Sequence, residues 1–340
     1  MKDLSFHGSF LYIVNLKNVA IAGATGYSGQ ELVQLLKRHP HFEIKALVGR
    51  NDRPADFKGK VDLVFLCTPN DVSLEMAPLF LAEGIHVIDV SGAFRLKKHS
   101  YPEWYGFEHL APEYLKQAEY SLIGWDHPVP AQSQKARLIA NPGCYPTATL
   151  LALLPLVKDE IIDTSGIFVD AKSGTSGAGK KAETSLLFSE IYGDFYPYKV
   201  GKHQHYPEII ECVERLCGKK LSLCFTTSLL PVERGISAAV FGNFSTALHS
   251  LSSAEKLSCL MTSYQKYYSA FPDIVVGTDP ALSHLKKVVH SNRCHIQVNC
   301  AFDKIAVFSS IDNLLRGAAG QALLNANLLA GRSMMEGFNL

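Results

Sequence analysis

Cys144 is the residue of this sequence best placed to do chemistry. It lies in IANPGCYPTATL, where the turn-forming residues 141–143 precede it and a helix is predicted to begin. Pro146 does not argue against that helix, because proline is tolerated in a first helical turn. A thiol at a helix N-terminus is expected to have a lowered pKa and to act as a nucleophile. The alternative is a small buried residue, since free cysteines are usually packed in protein interiors.

A pair of histidines forms a second candidate group. The segment GKHQHYPEI contains His203 and His205. Pro207 disfavours helix at the residue before it, so an extended segment with both rings on one face is predicted. Beside a thiolate, such a pair could act as general base and acid, with Glu208 orienting one ring. The alternatives are packing histidines and half of a metal site, for which no third and fourth ligand follow at suitable spacing.

A glycine turn is the third candidate. In NVAIAGATGYSGQELVQLL, Gly23, Gly26 and Gly29 follow a predicted strand and open a predicted helix, which is the context of a dinucleotide-binding turn. Gly23 would permit the tight turn, Gly26 the approach of a pyrophosphate and Gly29 close helix packing. Arg50 stands near the end of the next predicted strand, where an acidic residue would favour NAD, and so favours NADP. A plain turn and a solvated surface arginine are the alternatives.

The elements around these residues predict an α/β fold. Apolar runs at 43–50, 61–69 and 84–92, with the helical segment DVSLEMAPLFLAEG between the last two, predict a doubly wound parallel sheet. After Cys144, runs such as GIFVDAKSG and GISAAVFGNF follow one another with few helices between them, which predicts a mostly antiparallel second domain. The closing helix NLLRGAAGQALLNANLLAG is expected to pack back against the first domain.

Composition and charge restrict the class of protein. The chain has 340 residues, 47% hydrophobic and 19% charged, which favours a soluble protein with two domains. Its 33 basic and 32 acidic side chains nearly balance, so no excess of positive charge indicates binding to nucleic acid or to an anionic membrane. Small molecules or copies of itself are therefore the expected partners. Eight cysteines without a CxxC pair favour a reducing, cytoplasmic location. No transmembrane segment is predicted, and residues 1–16 resemble a signal peptide only faintly.

Seven segments resemble, in the same order, the N-acetyl-gamma-glutamyl-phosphate reductase family. They are GATGYSG, DVSGAFRL, WYGFEH, ANPGCYPTA, DAKSGTSGAGK, HQHYPEI and IDNLLRGAAGQALLNAN, and they span nearly the whole chain. The resemblance implies a Rossmann-type domain (1–143 and 313–340) and a mixed α+β catalytic domain (144–312) of the kind found in aspartate-semialdehyde and glyceraldehyde-3-phosphate dehydrogenases. It also implies an NADP-dependent enzyme of arginine biosynthesis, a homodimer or homotetramer, that reduces an acyl phosphate through a cysteine thioester.

The resemblance also implies roles for individual residues. Cys144 would be the nucleophile, His205 the acid and base, with His203 as second choice, and Glu208 the orienting group. Arg95 would bind the substrate carboxylate with a bidentate fork, a surface salt bridge being the alternative. The other expected substrate contacts are Asn141, Ser176 and Tyr198. The expected cofactor contacts are Gly23, Thr25, Gly26, Tyr27, Ser28, Gly29, Arg50, Ser173, Gly174 and Asn313. Small residues among them could instead serve close packing, and no metal is expected.

Three segments depart from the family pattern. The segment between Arg50 and Val61 is short, which bears on the NADP preference, and GWDHPVP (124–130) and FTTSLLPVERGI (225–236) differ from the usual residues. An aminoadipyl phosphate or a carrier-protein-linked acyl group are therefore alternative substrates. Two rival functions are an aspartate-semialdehyde dehydrogenase, which is not expected to carry HQHYPEI, and a non-catalytic protein that binds NADP.

Overall fold

The first part of the chain opens with the strand, glycine turn and helix that the sequence predicts. The computed structural model describes residues 16–125 and 137–338, so the faint signal-peptide pattern and most of the 124–130 segment lie outside it. β1 (Asn18–Ala22) is almost wholly buried, and α1 (Tyr27–Lys37) begins after a turn of four residues. Leu32 and Leu36 of α1 pack into one apolar cluster with β1, as expected for a helix with an apolar face.

Six parallel strands form the first sheet, in the order β2-β1-β3-β4-β6-β5. The strands after β1 are β2 (Glu43–Val48), β3 (Leu63–Leu66), β4 (His86–Asp89), β5 (Ala118–Tyr120) and β6 (Leu138–Ala140). The helices between them are α2 (Asn70–Ala82), α3 (Tyr101–Tyr105) and α4 (Pro112–Leu115). The predicted doubly wound sheet is confirmed. Its strand order changes direction between β1 and β3, where open α/β sheets bind ligands at the carboxyl edge.

Seven strands form a second, mixed sheet, in the order β11-β12-β13-β10-β7-β9-β8. They are β7 (Ile167–Ser173), β8 (Tyr196–Pro197), β9 (Leu223–Leu229), β10 (Ile236–Gly242), β11 (Ile274–Gly277), β12 (Cys294–Ala301) and β13 (Lys304–Ile311). The helices are α5 (Cys144–Lys158), α6 (Phe188–Ile191), α7 (His205–Cys217) and α8 (Ser253–Tyr268). Four strand pairs are antiparallel, and two are parallel, β7 with β9 and β11 with β12.

Within the described residues, α5 and α8 pack on one face of this second sheet. α5 is buried along nearly its whole length and packs between the sheet and the helices α7 and α8. A helix that is apolar on all sides belongs in a core. The opposite face of the sheet carries exposed aromatic side chains, including Phe168 and Phe241.

The end of the chain returns to the first domain. A π-helical turn (Leu315–Ala319) leads into α9 (Gly320–Leu329), whose apolar residues pack in the cluster that contains β1 and α1. In the π turn, the fully buried Arg316 pairs with Asp273 and donates a 2.9 Å hydrogen bond to the carbonyl of Ile123. Both domains therefore meet around this turn. Within the described ranges, every helix is too short or too polar to cross a bilayer.

Candidate active site

Cys144 is the first residue of α5, at the carboxyl edge of the parallel sheet. Gly143 caps the helix with extended backbone (φ −71°, ψ 160°), and its carbonyl accepts the amide of Thr147 at 2.9 Å. Pro146 lies in the first helical turn, where a missing amide hydrogen leaves no intrahelical acceptor unpaired. The predicted helix start at the cysteine is thus present.

The predicted lowering of the Cys144 pKa is wrong for this structure. Burial raises the pKa of the thiol to about 11, while Arg95 and the amide of Tyr145 act in the opposite direction. The π turn contributes to this burial, because a Cβ placed on Gly317 would lie only 2.7 Å from Cys144 Cβ; the residue as a whole is half-buried. Desolvation of the charged form therefore outweighs the helix N-terminus.

The two histidines are adjacent, but the predicted extended conformation is wrong. α7 begins at His205 and includes Pro207 in its first turn, where proline is tolerated. The ring centroids of His203 and His205 are nevertheless 4.9 Å apart. A Cβ placed on Gly143 would lie 2.5 Å from His205 Nε2, so this ring packs directly against the backbone before Cys144.

His203 and His205 differ in their surroundings. His203 Nδ1 accepts the backbone amide of His205 at 3.2 Å, and Tyr145, Tyr198 and Phe225 enclose its ring. Burial lowers the pKa of His203 to about 4. Burial also lowers the pKa of His205, whose buried Nδ1 has no hydrogen-bond partner in the described ranges. His205 is therefore neutral, and it is the ring of the two that lies at Gly143.

Glu208 holds the turn before Cys144. Its Oε1 accepts the Gly143 amide at 2.8 Å and the Tyr120 hydroxyl at 2.9 Å. Its Oε2 lies 3.5 Å from Arg95 Nη1 and 3.9 Å from His205 Nε2. The second distance is too long for a hydrogen bond, so the predicted orienting contact to a histidine is replaced by a direct contact to the Gly143 backbone.

Arg95 is buried, which rules out the surface salt bridge. Its Nε donates to the carbonyl of Asn141 at 2.7 Å and its Nη2 to the carbonyl of Val90 at 2.6 Å. These bonds use Nε and one of the two Nη2 hydrogens, so Nη1 and the other Nη2 hydrogen remain as donors, and the predicted contact to a substrate carboxylate stays a prediction. Arg95 Nη1 faces the turn before Cys144 and would lie 2.8 Å from a Cβ placed on Gly143.

Asn141 is also fully buried. Its Nδ2 donates to the carbonyl of Ala318 at 3.3 Å and its Oδ1 accepts Nδ2 of Asn325 at 3.1 Å. Asn141 therefore joins the turn before Cys144 to the π turn and α9, and its predicted substrate contact stays a prediction. The hydroxyl of Tyr198, another predicted substrate contact, lies 3.0 Å from the hydroxyl of Tyr145.

The glycine turn fits a dinucleotide. Gly23 has φ +76°, and a Cβ there would lie 2.2 Å from the carbonyl oxygen of Cys67. A Cβ on Gly29 would lie 2.2 Å from the carbonyl oxygen of Gly23, so the helix sits against the turn. Gly26 caps α1 without a side-chain hydrogen bond. The amides that follow, of Tyr27, Ser28 and Gly29, have no intrahelical acceptor and are suited to a phosphate.

Arg50 lies two residues beyond the end of β2, beside the glycine turn at the same sheet edge. It is exposed and, within the described ranges, forms no ion pair. The neighbouring Arg53 pairs instead with Asp56 at 3.2 Å. Arg50 is therefore the available cation at the position predicted for the 2′-phosphate.

The segment from Ser173 to Ser176 is held against the loop before β10. The Ser173 hydroxyl donates to the carbonyl of Gly174 at 2.9 Å, and a Cβ on Gly174 would lie 2.8 Å from the backbone of Arg234. Asn313 Oδ1 accepts the amide of Gly235 at 2.7 Å, and its Nδ2 donates to Ser176 Oγ at 3.0 Å. These contacts show why small residues occur here, and the predicted contacts to cofactor and substrate stay predictions.

Sequence reasoning missed two residues that join the domains. Arg234 donates to Glu31 of α1 at 2.7 Å and to Asp312 at 3.1 Å. Asp312 in turn accepts the amides of Leu314 and Leu315 at 2.8 and 3.0 Å. An aspartate just before a helix is a recognisable cap signal, whereas nothing in the sequence pairs Arg234 with α1. Among the residues described, no group of three or more His, Cys, Asp or Glu side chains is placed to hold a metal ion.

Two family models match the chain, one over most of the six-stranded sheet and the other over the seven-stranded sheet. The family model described as semialdehyde dehydrogenase, NAD binding domain, matches residues 18–56 and 50–125, and that described as semialdehyde dehydrogenase, dimerisation domain, matches residues 144–313. The fold is shared with aspartate semialdehyde dehydrogenase II complexed with ASA from Vibrio cholerae (19% identity, TM-score 0.68, 94% of this chain and 99% of that one). It is also shared with aspartate semialdehyde dehydrogenase with NADP from Candida albicans (17%, 0.64, 92% and 98%).

Closer sequence similarity is found among proteins named N-acetyl-gamma-glutamyl-phosphate reductase. The one from Bacillus cereus strain B4264 is 40% identical over 341 residues, which cover 92% of this chain and 95% of the relative. The one from Geobacillus kaustophilus strain HTA426 is 41% identical over 348 residues, which cover 94% and 97%. Fold and site have the form of a semialdehyde dehydrogenase. Within that class, the chain belongs to the N-acetyl-gamma-glutamyl-phosphate reductase family.

Proposed function

We propose that this protein reduces N-acetyl-L-glutamyl 5-phosphate to N-acetyl-L-glutamate 5-semialdehyde and phosphate, with NADPH, in arginine biosynthesis. The observation that carries the proposal is the convergence of three side chains on the turn before Cys144. His205 Nε2, Arg95 Nη1 and the Glu208 carboxylate all lie at Gly143. Relatives with this printed activity cover more than nine-tenths of the chain, which supports the substrate.

Cys144 acts first. Its sulfur attacks the acyl carbon, the bond from that carbon to the phosphate oxygen breaks, and phosphate leaves with the electron pair. The thiol proton passes to His205, which burial keeps neutral and able to accept it. A base is needed because the pKa of the thiol is raised to about 11. The imidazolium then lies 3.9 Å from Glu208, whose negative charge stabilises it.

The Cys144 thioester is then reduced. When bound, NADPH supplies the hydride for the thioester carbonyl carbon. His205 returns its proton to the carbonyl oxygen, which gives a thiohemiacetal on Cys144. The hydroxyl proton of that intermediate goes back to His205, the carbonyl re-forms, and the carbon–sulfur bond breaks. Cys144 leaves as a thiolate and takes its proton from His205, so the site is restored.

We propose NADP as the cofactor in preference to NAD. The semialdehyde dehydrogenase NAD binding domain model covers residues 18–56, which include both the glycine turn and Arg50. Arg50, which is exposed and forms no ion pair with any residue that the structure describes, supports recognition of a 2′-phosphate, whereas an acidic residue at this position would favour the ribose hydroxyl of NAD.

We propose that copies of this chain associate as a homodimer or homotetramer. The contact would be made by the face of the seven-stranded sheet that carries Phe168 and Phe241. The matched family model is described as a dimerisation domain. Phe168 and Phe241 on this face are 44% and 37% exposed, and contiguous exposed aromatic side chains mark interaction sites. Phe241→Ser should lower the mass measured by light scattering after gel filtration. The control Leu79→Ser, at a 54% exposed apolar residue of α2, should not.

The cysteines support a cytoplasmic location for this reaction. All eight lie within the described ranges, and none forms a disulfide there. Unpaired thiols persist in reducing compartments. We therefore propose that the enzyme works in the cytoplasm.

One assay tests the proposed activity. In the oxidative direction, N-acetylglutamate semialdehyde, inorganic phosphate and NADP should give NADPH absorbance, and omission of phosphate should abolish the signal. Aspartate semialdehyde should react far more slowly. Faster turnover of aspartate semialdehyde would reassign the substrate. No turnover with either aldehyde, in a protein that binds NADP, would indicate a non-catalytic role.

A further inference from the structure

We propose that Lys180, from the second domain, binds the pyrophosphate of the dinucleotide held by the first domain. The proposal rests on the proposed function only in taking the ligand to be a nicotinamide dinucleotide. Lys180 Nζ donates a 2.8 Å hydrogen bond to Gln30 Oε1 and lies 5.2 Å from the centroid of the Tyr27 ring. Both partners belong to the first turn of α1, directly after the glycine turn.

Without a bound anion, the Lys180 ammonium group lies at an electrostatically unfavourable position. The N-terminus of a helix carries partial positive charge, which attracts anions and repels cations. The first turn of α1 contains no acidic side chain. Lys180 forms no ion pair within the residues described, and Glu31, one residue beyond Gln30, is paired with Arg234 at 2.7 Å. An anion bound between helix and ammonium would satisfy both positive groups.

A pyrophosphate meets this requirement. The glycine turn and the first-turn amides of α1 form the part of a dinucleotide site that receives the two phosphates. Gln30 holds the ammonium beside these amides through a neutral oxygen, and a lysine ammonium has three hydrogens, so two remain for phosphate oxygens. Lys180 would thus join the second domain to the cofactor.

Gly179 directs Lys180 toward α1. A 3-10 turn over Thr175–Ala178 ends at Gly179, which has φ +80° and ψ −167°, a region essentially restricted to glycine. No heavy atom lies within 4 Å of a Cβ placed there. The variant Gly179→Ala therefore changes the backbone direction without crowding, and leaves the lysine itself in place.

The test measures dinucleotide affinity directly. Kd values for NADPH and NADH are determined by fluorescence titration for the wild type, Lys180→Met and Lys37→Met. Lys37 is an equally exposed lysine at the opposite end of α1, so its loss changes net charge by the same amount. Lys180→Met should weaken both dinucleotides by about 5- to 30-fold, as expected for one charge-assisted hydrogen bond. Lys37→Met should stay within about twofold, because its charge is a helix length away.

Further measurements distinguish binding of the pyrophosphate from binding of the 2′-phosphate or of inorganic phosphate. Gly179→Ala should weaken NADPH and NADH together, and the KM for inorganic phosphate in the oxidative assay should not change with Lys180→Met. A loss confined to NADPH would place Lys180 at the 2′-phosphate and overturn the proposal. A change confined to the KM for inorganic phosphate would also overturn the proposal. Equal losses of dinucleotide affinity with Lys180→Met and Lys37→Met would overturn it as well. Since binding needs no turnover, failure of the proposed substrate would leave this measurement intact.

Discussion

The carboxylate of Glu208 accepts a 2.8 Å hydrogen bond from the amide of Gly143, the residue directly before Cys144. The same oxygen accepts the Tyr120 hydroxyl, and Arg95 lies on the other oxygen. The start of α7 is thereby fixed to the start of α5. One buried carboxylate thus sets the position of α7, which begins at His205, relative to Cys144.

Removal of this carboxylate should damage stability as well as turnover. Glu208→Ala leaves Arg95 buried without its charge partner, for which a loss of about 3–5 kcal/mol in the free energy of unfolding is expected. Urea denaturation measures it. Tyr120→Phe removes a single hydrogen bond to the same oxygen and should lose only about 1 kcal/mol. An unchanged urea midpoint for Glu208→Ala would contradict the importance of the contact.

Cys144→Ser should abolish turnover and leave NADPH affinity nearly unchanged. A serine hydroxyl at this position is far less nucleophilic than a thiolate. NADPH affinity should persist because the glycine turn follows β1, whereas Cys144 follows β6. Steady-state assays and a fluorescence titration measure the two effects. Residual turnover close to the wild-type rate would exclude Cys144 as the nucleophile.

Alkylation of Cys144 should depend steeply on pH. Burial raises its pKa to about 11, so the thiolate fraction should rise about tenfold per pH unit from pH 7 to pH 9. Iodoacetamide labelling with peptide mapping measures the rate. The native state also retains a proton that the unfolded chain releases above its ordinary pKa of 9.0, so this group should lower stability as pH rises from about 9 to 11. A pH-independent labelling rate would argue against the raised pKa.

His205 and His203 should respond differently to substitution. His205→Asn should lower kcat by about 10²–10⁴-fold and remove one limb of the pH profile, as expected for loss of an acid–base group. His203→Asn should be milder, because an asparagine oxygen can accept the His205 amide in place of Nδ1. Elemental analysis and chelator treatment provide the control: stoichiometric zinc, with inactivation by chelator, would replace the acid–base role by a metal role.

Arg50→Ala should change cofactor choice. If this side chain contacts the 2′-phosphate, NADPH affinity should fall by roughly 1.5–3 kcal/mol, while NADH affinity should hardly change. Arg53→Ala is the matched control, since Arg53 is already paired with Asp56. Equal losses for NADPH and NADH would place Arg50 away from the 2′-phosphate.

Local features of the chain could be predicted from the sequence. The strand, glycine turn and helix around Gly23, the helix start at Cys144 and the proximity of His203 to His205 all follow from residues within a few positions of one another. Backbone preferences and hydrophobic periodicity act over such short spans. Pro207 is the exception: it predicts an extended residue before it, whereas in a first helical turn its missing amide hydrogen leaves the helix intact.

The chemical state of the site was decided by tertiary structure. Glu208 reaches Gly143 across 65 residues, and Arg95 reaches the carbonyl of Asn141 across 46. These long-range contacts fix the Arg95 side chain beside the turn at Gly143, and the π turn packs Gly317 against Cys144. Desolvation depends on everything packed around a group and not on its neighbours in the chain. The sequence alone therefore singles out Cys144 as the candidate nucleophile, whereas burial determines the direction of its pKa.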